Sequence, residues 1–298
     1  MNRTEDGGPG ARVVTWVRVS RRGTPRHPRV VGTRAAQIWR ISGARRIAHA
    51  WAVAIGFLGL TVAGSSALLE TSVDASPAVV VSSTQPLPGR EGDRTRMVEQ
   101  QLLARDITDP RVVRAMRRVP RERFVPRDQR QRAYEDRPLP IGFRQTISQP
   151  YIVAYMTQAL RLSPDAKVLE VGTGSGYQAA VLAEMAATVY TIEIVPQLAE
   201  RARDTLAQLG YANVQVRQGD GYAGWPEQAP FDAIMVTAAP DHVPPSLVDQ
   251  LAIGGRLILP VGQARQTLTM ITRTEDGVEQ DSTLAVLFVP MTGEAERR

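Results

Sequence analysis

The chain has 298 residues, 43% hydrophobic and 22% charged, proportions that suit a globular protein with room for one large α/β domain and extra segments. It contains no cysteine, which excludes disulfides, thiolate metal sites and a cysteine nucleophile. The formal charge of +6 is uneven: residues 1–46 hold 11 arginines against Glu5 and Asp6, and the rest is slightly acidic, which argues against a nucleic-acid-binding surface.

After the basic stretch, residues 47–69 (IAHAWAVAIGFLGLTVAGSSALL) carry no fixed charge. About 20 apolar residues span a bilayer. An arginine-rich run before such a stretch is the pattern of a signal peptide or N-terminal anchor, and Val73-Asp74-Ala75 fits a cleavage site. Gly56, Gly59, Gly64, Ser65 and Ser66 make the stretch only moderately apolar, so a buried helix or an extension from an early start codon fits it as well. Ser- and Pro-rich residues 71–90 read as a linker. The expected division is a basic leader at 1–46, an apolar segment at 47–69, a linker at 70–90 and a folded domain at 91–298.

Two helical patterns open that domain, RMVEQQLLA and PRVVRAMRRV, the second with Asp109 and Pro110 at its start. Residues 120–150 contain five prolines and read as irregular connection. From Tyr151 the rhythm alternates: a helix to about 161, a strand at 167–171, a glycine turn, a helix from about 176 and the strand ATVYTIEIV. A helix from Pro196 follows, with Leu198, Ala202, Leu206 and Leu209 on one stripe and Gly210 closing it. NVQVRQ, FDAIMVT, GRLILPV, TLTMITR and TLAVLFV complete the strands. This pattern predicts a doubly wound, mainly parallel Rossmann-like sheet. Its last pair, split by TEDGVEQD, reads as an antiparallel hairpin.

In such a sheet, ligands bind beyond the carboxyl ends of the strands. VLEVGTGSGYQ places Gly172, Gly174 and Gly176 there, where missing side chains let backbone N–H groups approach a ligand. A dinucleotide fingerprint would have a further glycine where this chain has Tyr177. Glu193, ending the second strand, suits a ribose diol, and Asp220 with Gly221, ending the third, suits an adenine edge. One adenosine laid along the strand tips fits these residues, and S-adenosylmethionine, with no pyrophosphate, is the better candidate.

With VLEVGTGSGYQAAVLA, GDGYAGW, FDAIMVTAAP, IGFRQTISQPYIVAYM and GGRLILPVG in this order, residues 91–298 resemble the protein-L-isoaspartate O-methyltransferase family. TISQP is the specific element; EVGTGSG alone marks only a methyltransferase of this general fold. The resemblance implies that 91–298 is a catalytic domain. It would transfer a methyl group from S-adenosylmethionine to the α-carboxylate of L-isoaspartyl residues in damaged proteins and so initiate repair through a succinimide. It also implies that Ser148 is the active-site residue. Thr146, Gly172, Thr173, Gly174 and Gly176 would line the cofactor, with Glu193 on the ribose and Asp220 and Gly221 on the adenine. Ser148 has a second possible use, as a cap for the helix entered at Pro150. Arg144 departs from the family, which usually has glycine there; we expect it to point to solvent and stiffen the loop.

The residue inventory suits this chemistry. A carboxylate is already ionised at neutral pH, so its methylation requires no general base. Of three histidines, only His242 lies outside the leader, and it reads as a loop residue without a catalytic task. No metal-binding motif occurs. The alternatives are a same-fold methyltransferase acting on a small molecule, or a membrane-tethered binding protein without turnover. Base-modifying relatives often carry Pro-Pro-aromatic after the fourth strand, where this chain reads VTAAPD. The expected partners are isoaspartyl proteins and peptides, with no nucleic acid, and with membrane contact only through 47–69. A monomer is expected. The leader points outward, but the methyl donor is made inside cells, and a cytoplasmic location is therefore expected.

Overall fold

Residues 89–297, described in a computed structural model, begin with the helical lead-in. Helix α1 (Glu91–Met97) continues through wider turns over Val98–Leu103, and α2 (Pro110–Arg118) follows. Asp109 starts α2 by accepting the Arg111 N–H at 2.8 Å, and Pro110 occupies the first position, where a missing N–H is harmless. The leader, the apolar segment 47–69 and the linker through residue 88 lie outside the described residues. Among the described residues, no helix is long and apolar enough to cross a membrane.

Residues 120–150 are more regular than their prolines imply. Two 3-10 turns, Arg121–Phe124 and Arg127–Arg132, lead into an antiparallel hairpin of β1 (Leu139–Gly142) and β2 (Gln145–Ile147). Phe143 and Arg144 form its turn with φ of 52° and 59°. That left-handed region costs an L-residue roughly 1–2 kcal/mol, which rationalises the glycine usual in the family. Arg144 is exposed, as expected. Helix α3 (Pro150–Leu160) then returns to the sheet.

The main sheet contains β3 (Lys167–Val171), β4 (Thr188–Glu193), β5 (Val214–Gln218), β6 (Phe231–Val236), β7 (Leu251–Val261), β8 (Gln266–Thr274) and β9 (Gly277–Val286). Helices α4 (Tyr177–Ala183), α5 (Pro196–Gln208) and α6 (Pro245–Asp249) connect its parallel part. The order is β5-β4-β3-β6-β7-β8-β9, with β8 and β9 antiparallel. The chain winds outward from β3 to β5 and then crosses to β6 on the other side of β3. A crevice forms where the winding reverses. Buried side chains on both faces explain why β3, β4 and β6 are largely apolar without alternation, Glu170, Thr191 and Glu193 being the buried polar exceptions. Val168 faces a core shared with α1, α2, α3 and α4; Leu169 and Val171 face a second core with Phe231, Leu247 and Leu251.

The C-terminal hairpin exists but is longer than its side chains suggest. Only Glu275 and Asp276 separate its strands, and residues assigned to the loop pair with β8, as in Arg273↔Val278 and Met270↔Asp281. Backbone hydrogen bonding to an already formed strand recruits them; most of β9 is exposed and has no apolar alternation to reveal it.

Replacing the cap, Asp109→Ala, leaves the Arg111 N–H without its partner. The expected loss is about 1 kcal/mol, read as a lower urea midpoint with an unchanged m-value.

Candidate active site

At the end of β3, Gly172 (φ 98°) donates its N–H to the Ile192 carbonyl at 2.8 Å. Its own carbonyl accepts the Thr237 hydroxyl at 2.5 Å, and that hydroxyl occupies the space a β-carbon would need. Two residues on, the Gly174 N–H donates to Glu193 Oε2 at 2.7 Å, while the Val195 N–H donates to Glu193 Oε1 at 2.9 Å. Glu193 is only 5% exposed and therefore ties the turn after β3 to the turn after β4. Burial raises its pKa, and the N–H groups of Val195, Gly174 and Ile194 oppose that rise by favouring the charged form.

These turns form one wall of a cleft lined also by Ile194, Gly221 and Thr237. The other walls are Gln145 and Thr146 of the hairpin and a C-terminal strap, Val289–Thr292. The Ala239 N–H donates to the Val289 carbonyl and the Met291 N–H to the Ala239 carbonyl, both at 2.8 Å, pinning the strap across the sheet edge. A second cavity of about 490 Å³ adjoins the cleft, between Pro138, Ser148, Ile152 and residues 285–289. Thr146 and Thr237 line both spaces. Ser148 faces the second, and its hydroxyl has no hydrogen-bond partner among the described residues. It does not cap α3: the N-cap is Gln149, without a side-chain bond.

The structure thus brings together Thr146, Ser148, Gly172, Gly174, Glu193 and Gly221, with Thr173 in a smaller pocket beneath Ser148. Besides Thr173, two expected cofactor residues, Gly176 and Asp220, lie outside the cleft lining. Gly176 (φ 87°) starts α4 where a β-carbon would press Leu206 and Ala202 of α5 at 3.2 and 3.3 Å, so close helix packing accounts for this glycine. The Asp220 carboxylate turns to backbone instead, accepting the Tyr222 N–H at 2.9 Å and the Glu294 N–H at 2.7 Å. Gly221 alone of that pair lines the cleft.

Thr237 and the strap were absent from the expected set. Thr237 follows β6, directly beside β3, and a strand-tip rule applied to VTAAP finds it. Nothing local marks Val289–Thr292 as a cleft wall.

Beneath the glycine turn, Glu170 is fully buried. Its Oε2 accepts the Thr191 hydroxyl at 2.5 Å, and Thr191 Oγ1 lies 2.6 Å from Thr173 Oγ1, linking Glu170 to the turn. Burial pushes the Glu170 pKa up to about 8; the Thr191 bond opposes this and nearby Glu193 adds to it. Tyr177, the residue that broke the dinucleotide pattern, is buried beside Phe124 (centroids 5.6 Å apart) and under the Arg121 guanidinium (4.9 Å), where it joins α4 to the lead-in. His242 bonds Tyr222 Oη at 2.7 Å and Asp241 Oδ1 at 2.5 Å, and lies outside both spaces. Among the described residues, no group of three or more His, Asp or Glu is placed to hold a metal.

A glycine turn after the first strand of a doubly wound sheet, a carboxylate at the second strand's tip and a roofed cleft between them, with Tyr177 where a dinucleotide fingerprint has glycine, match the S-adenosylmethionine-dependent methyltransferase class. Comparison with known proteins narrows this. The family model described as protein-L-isoaspartate(D-aspartate) O-methyltransferase matches residues 93–296, and the chain belongs to that family. A protein-L-isoaspartate O-methyltransferase of Gloeobacter violaceus is 61% identical over 200 residues, covering 66% of this chain and 98% of its own. One from Picosynechococcus is 56% identical over 67% of this chain and 90% of its own. The crystal structure of a Plasmodium falciparum protein, described as such a methyltransferase in complex with S-adenosyl-L-homocysteine, superposes with a TM-score of 0.60 at 28% identity. It covers 67% of this chain and 98% of its own.

Glu193 serves the fold as well as any ligand. Glu193→Ala leaves the Gly174 and Val195 N–H groups without their partner, so the ligand-free protein loses roughly 1–3 kcal/mol, measured by urea denaturation. The melting temperature therefore falls, contrary to a role confined to ligand binding.

Glu170 gives a pH signature. Its folded pKa, about 8 against 4.5 in the unfolded chain, means the folded state holds a proton that the unfolded state releases across that window. Its contribution to stability is full below about pH 4.5 and declines as pH rises towards 8. Glu170→Gln should therefore gain stability relative to wild type as pH is raised from 5 to 8. A difference in urea midpoint that does not change with pH would remove the buried-carboxyl account.

Proposed function

We infer that the protein transfers the methyl group of S-adenosylmethionine to the α-carboxylate of L-isoaspartyl residues in damaged proteins. The ester then closes to a succinimide, whose hydrolysis returns some normal aspartate. The observation that carries this reading is the adjoining pair of spaces with Thr146 and Thr237 in their common wall. One suits a methyl donor and the other a peptide acceptor, with reaction at the junction.

The residues fit the donor. Gly172, Gly174 and Gly221 keep side chains out of its path, Ile194 offers an apolar surface, and Glu193 offers buried acceptors to ribose hydroxyls. Asp220, clasped by Glu294, takes the adenine edge only if its oxygens accept a further bond. When bound, S-adenosylmethionine supplies an electrophilic methyl group. The chain's own task is placement: the β1–β2 hairpin covers the junction, and the Ser148 and Thr146 hydroxyls orient the acceptor carboxylate. Alignment of two reactants can contribute about 7–11 kcal/mol, and the carboxylate, ionised at neutral pH, needs no proton-transferring residue. Water kept out by hairpin and strap leaves that carboxylate poorly hydrated and more reactive. Residues 91–298 form the catalytic domain on this reading, working as a monomer in the cytoplasm, where the methyl donor is made.

Incubation with labelled S-adenosylmethionine should place base-labile label on an isoaspartyl peptide and not on its aspartyl twin. Ser148→Ala should lower kcat at least tenfold while the calorimetric Kd for S-adenosylhomocysteine stays unchanged. Equal labelling of the twins would overturn the substrate assignment, and an undiminished kcat would remove Ser148 from the reaction.

A further inference from the structure

A groove of about 400 Å³ lies between the 3-10 turns at 121–132, β1 and α5. Arg123, Arg127, Arg130 and Arg201 line it, and no carboxylate does. Arg201 is committed to the fold, donating to the Ile141 carbonyl at 3.0 Å. The guanidinium groups of Arg123, Arg127 and Arg130 make no ion pair or hydrogen bond among the described residues. Several other arginines in this part of the chain are ion-paired. Arg90 and Arg96 pair with Asp93, Arg105 with Asp136, Arg118 with Glu184, and Arg132 and Arg137 with Glu135. Of the acids adjacent in sequence, Glu122 accepts the buried Tyr134 hydroxyl and Asp128 accepts from the Gln129 amide at 2.8 Å. Like charges gathered in a concave surface raise the local potential and attract an anionic partner, and guanidinium forks match carboxylates.

The groove abuts the reaction site. Ser175 lines both the groove and the pocket beneath Ser148, and Ile141 belongs to the hairpin that carries Thr146. We propose that it docks an acidic stretch of the protein being methylated, a few residues from the isoaspartyl acceptor. This rests on the protein-methylating reading above. An extended chain advances about 3.3 Å per residue, so acidic side chains several positions away reach the groove. A single-stranded nucleic acid fits less well: Phe124, the one aromatic in the lining, is 4% exposed and packed on Tyr177, leaving no platform for a base.

The test uses the full chain and isoaspartyl peptides of equal length with four glutamates before the acceptor, four after it, or glutamines throughout. One acidic peptide should show a KM roughly five- to tenfold below the neutral one at low salt, converging as salt screens the charges. The double variant Arg127→Glu/Arg130→Glu, at two exposed positions, should abolish this preference and leave the neutral peptide's KM within twofold. A fluorescein-labelled acidic peptide without isoaspartate should bind wild type at least fivefold more tightly than the double variant by anisotropy. Equal KM values for all three peptides together with equal anisotropy would overturn the proposal. So would a double variant that loses affinity for an oligothymidylate and keeps its peptide preference. If no isoaspartyl peptide is methylated, the reaction assignment fails, and the anisotropy comparison alone decides the groove.

Discussion

Two backbone N–H groups converge on one buried carboxylate, and the rest of the site depends on that convergence. Glu193 holds Gly174 and Val195 within hydrogen-bond distance, so the ends of β3 and β4 cannot move apart independently. Thr237 closes the same turn from β6 through the Gly172 carbonyl. Three adjacent parallel strands thereby contribute one side chain or turn each to a single rigid edge. The hairpin and the strap need only be laid across that edge to enclose a ligand.

Rigidity matters here because the chemistry asks little else. An ionised carboxylate attacks without help, so the useful groups near the junction are hydroxyls, those of Thr146, Ser148 and Thr237, and no histidine or metal cluster is needed beside them. The lead-in supports the same end. Arg121, Phe124 and Met116 surround Tyr177, which fastens the helix after the glycine turn to the chain that precedes the hairpin. One tyrosine thus braces the helix behind the glycine turn against the lead-in.

The Arg-rich segment shows why total charge is a poor guide to surface chemistry. Outside the leader the chain is slightly acidic, and that balance by itself argues against an anion-binding face. Several of these charges cancel pairwise where the fold brings them together, as with Arg105 and Asp136, while Arg123, Arg127 and Arg130, unpaired among the described residues, collect in one groove. Pairing is a tertiary property. Composition cannot express it.

The parallel strands, the glycine turn and the carboxylate at the tip of β4 were legible in the amino-acid sequence, because fully buried strands need continuous apolar runs and a turn that meets a ligand needs glycine. Family membership was legible for the same reason, in TISQP and VLEVGTGSG. Tertiary structure alone decided that Gly176 answers to Leu206 and Ala202, that Asp220 clasps the Glu294 N–H, and that Val289–Thr292 roofs the cleft. Each of those outcomes depends on segments 26 or more positions apart in the chain. Local pattern specifies which face of an element is buried; only packing specifies what it is buried against.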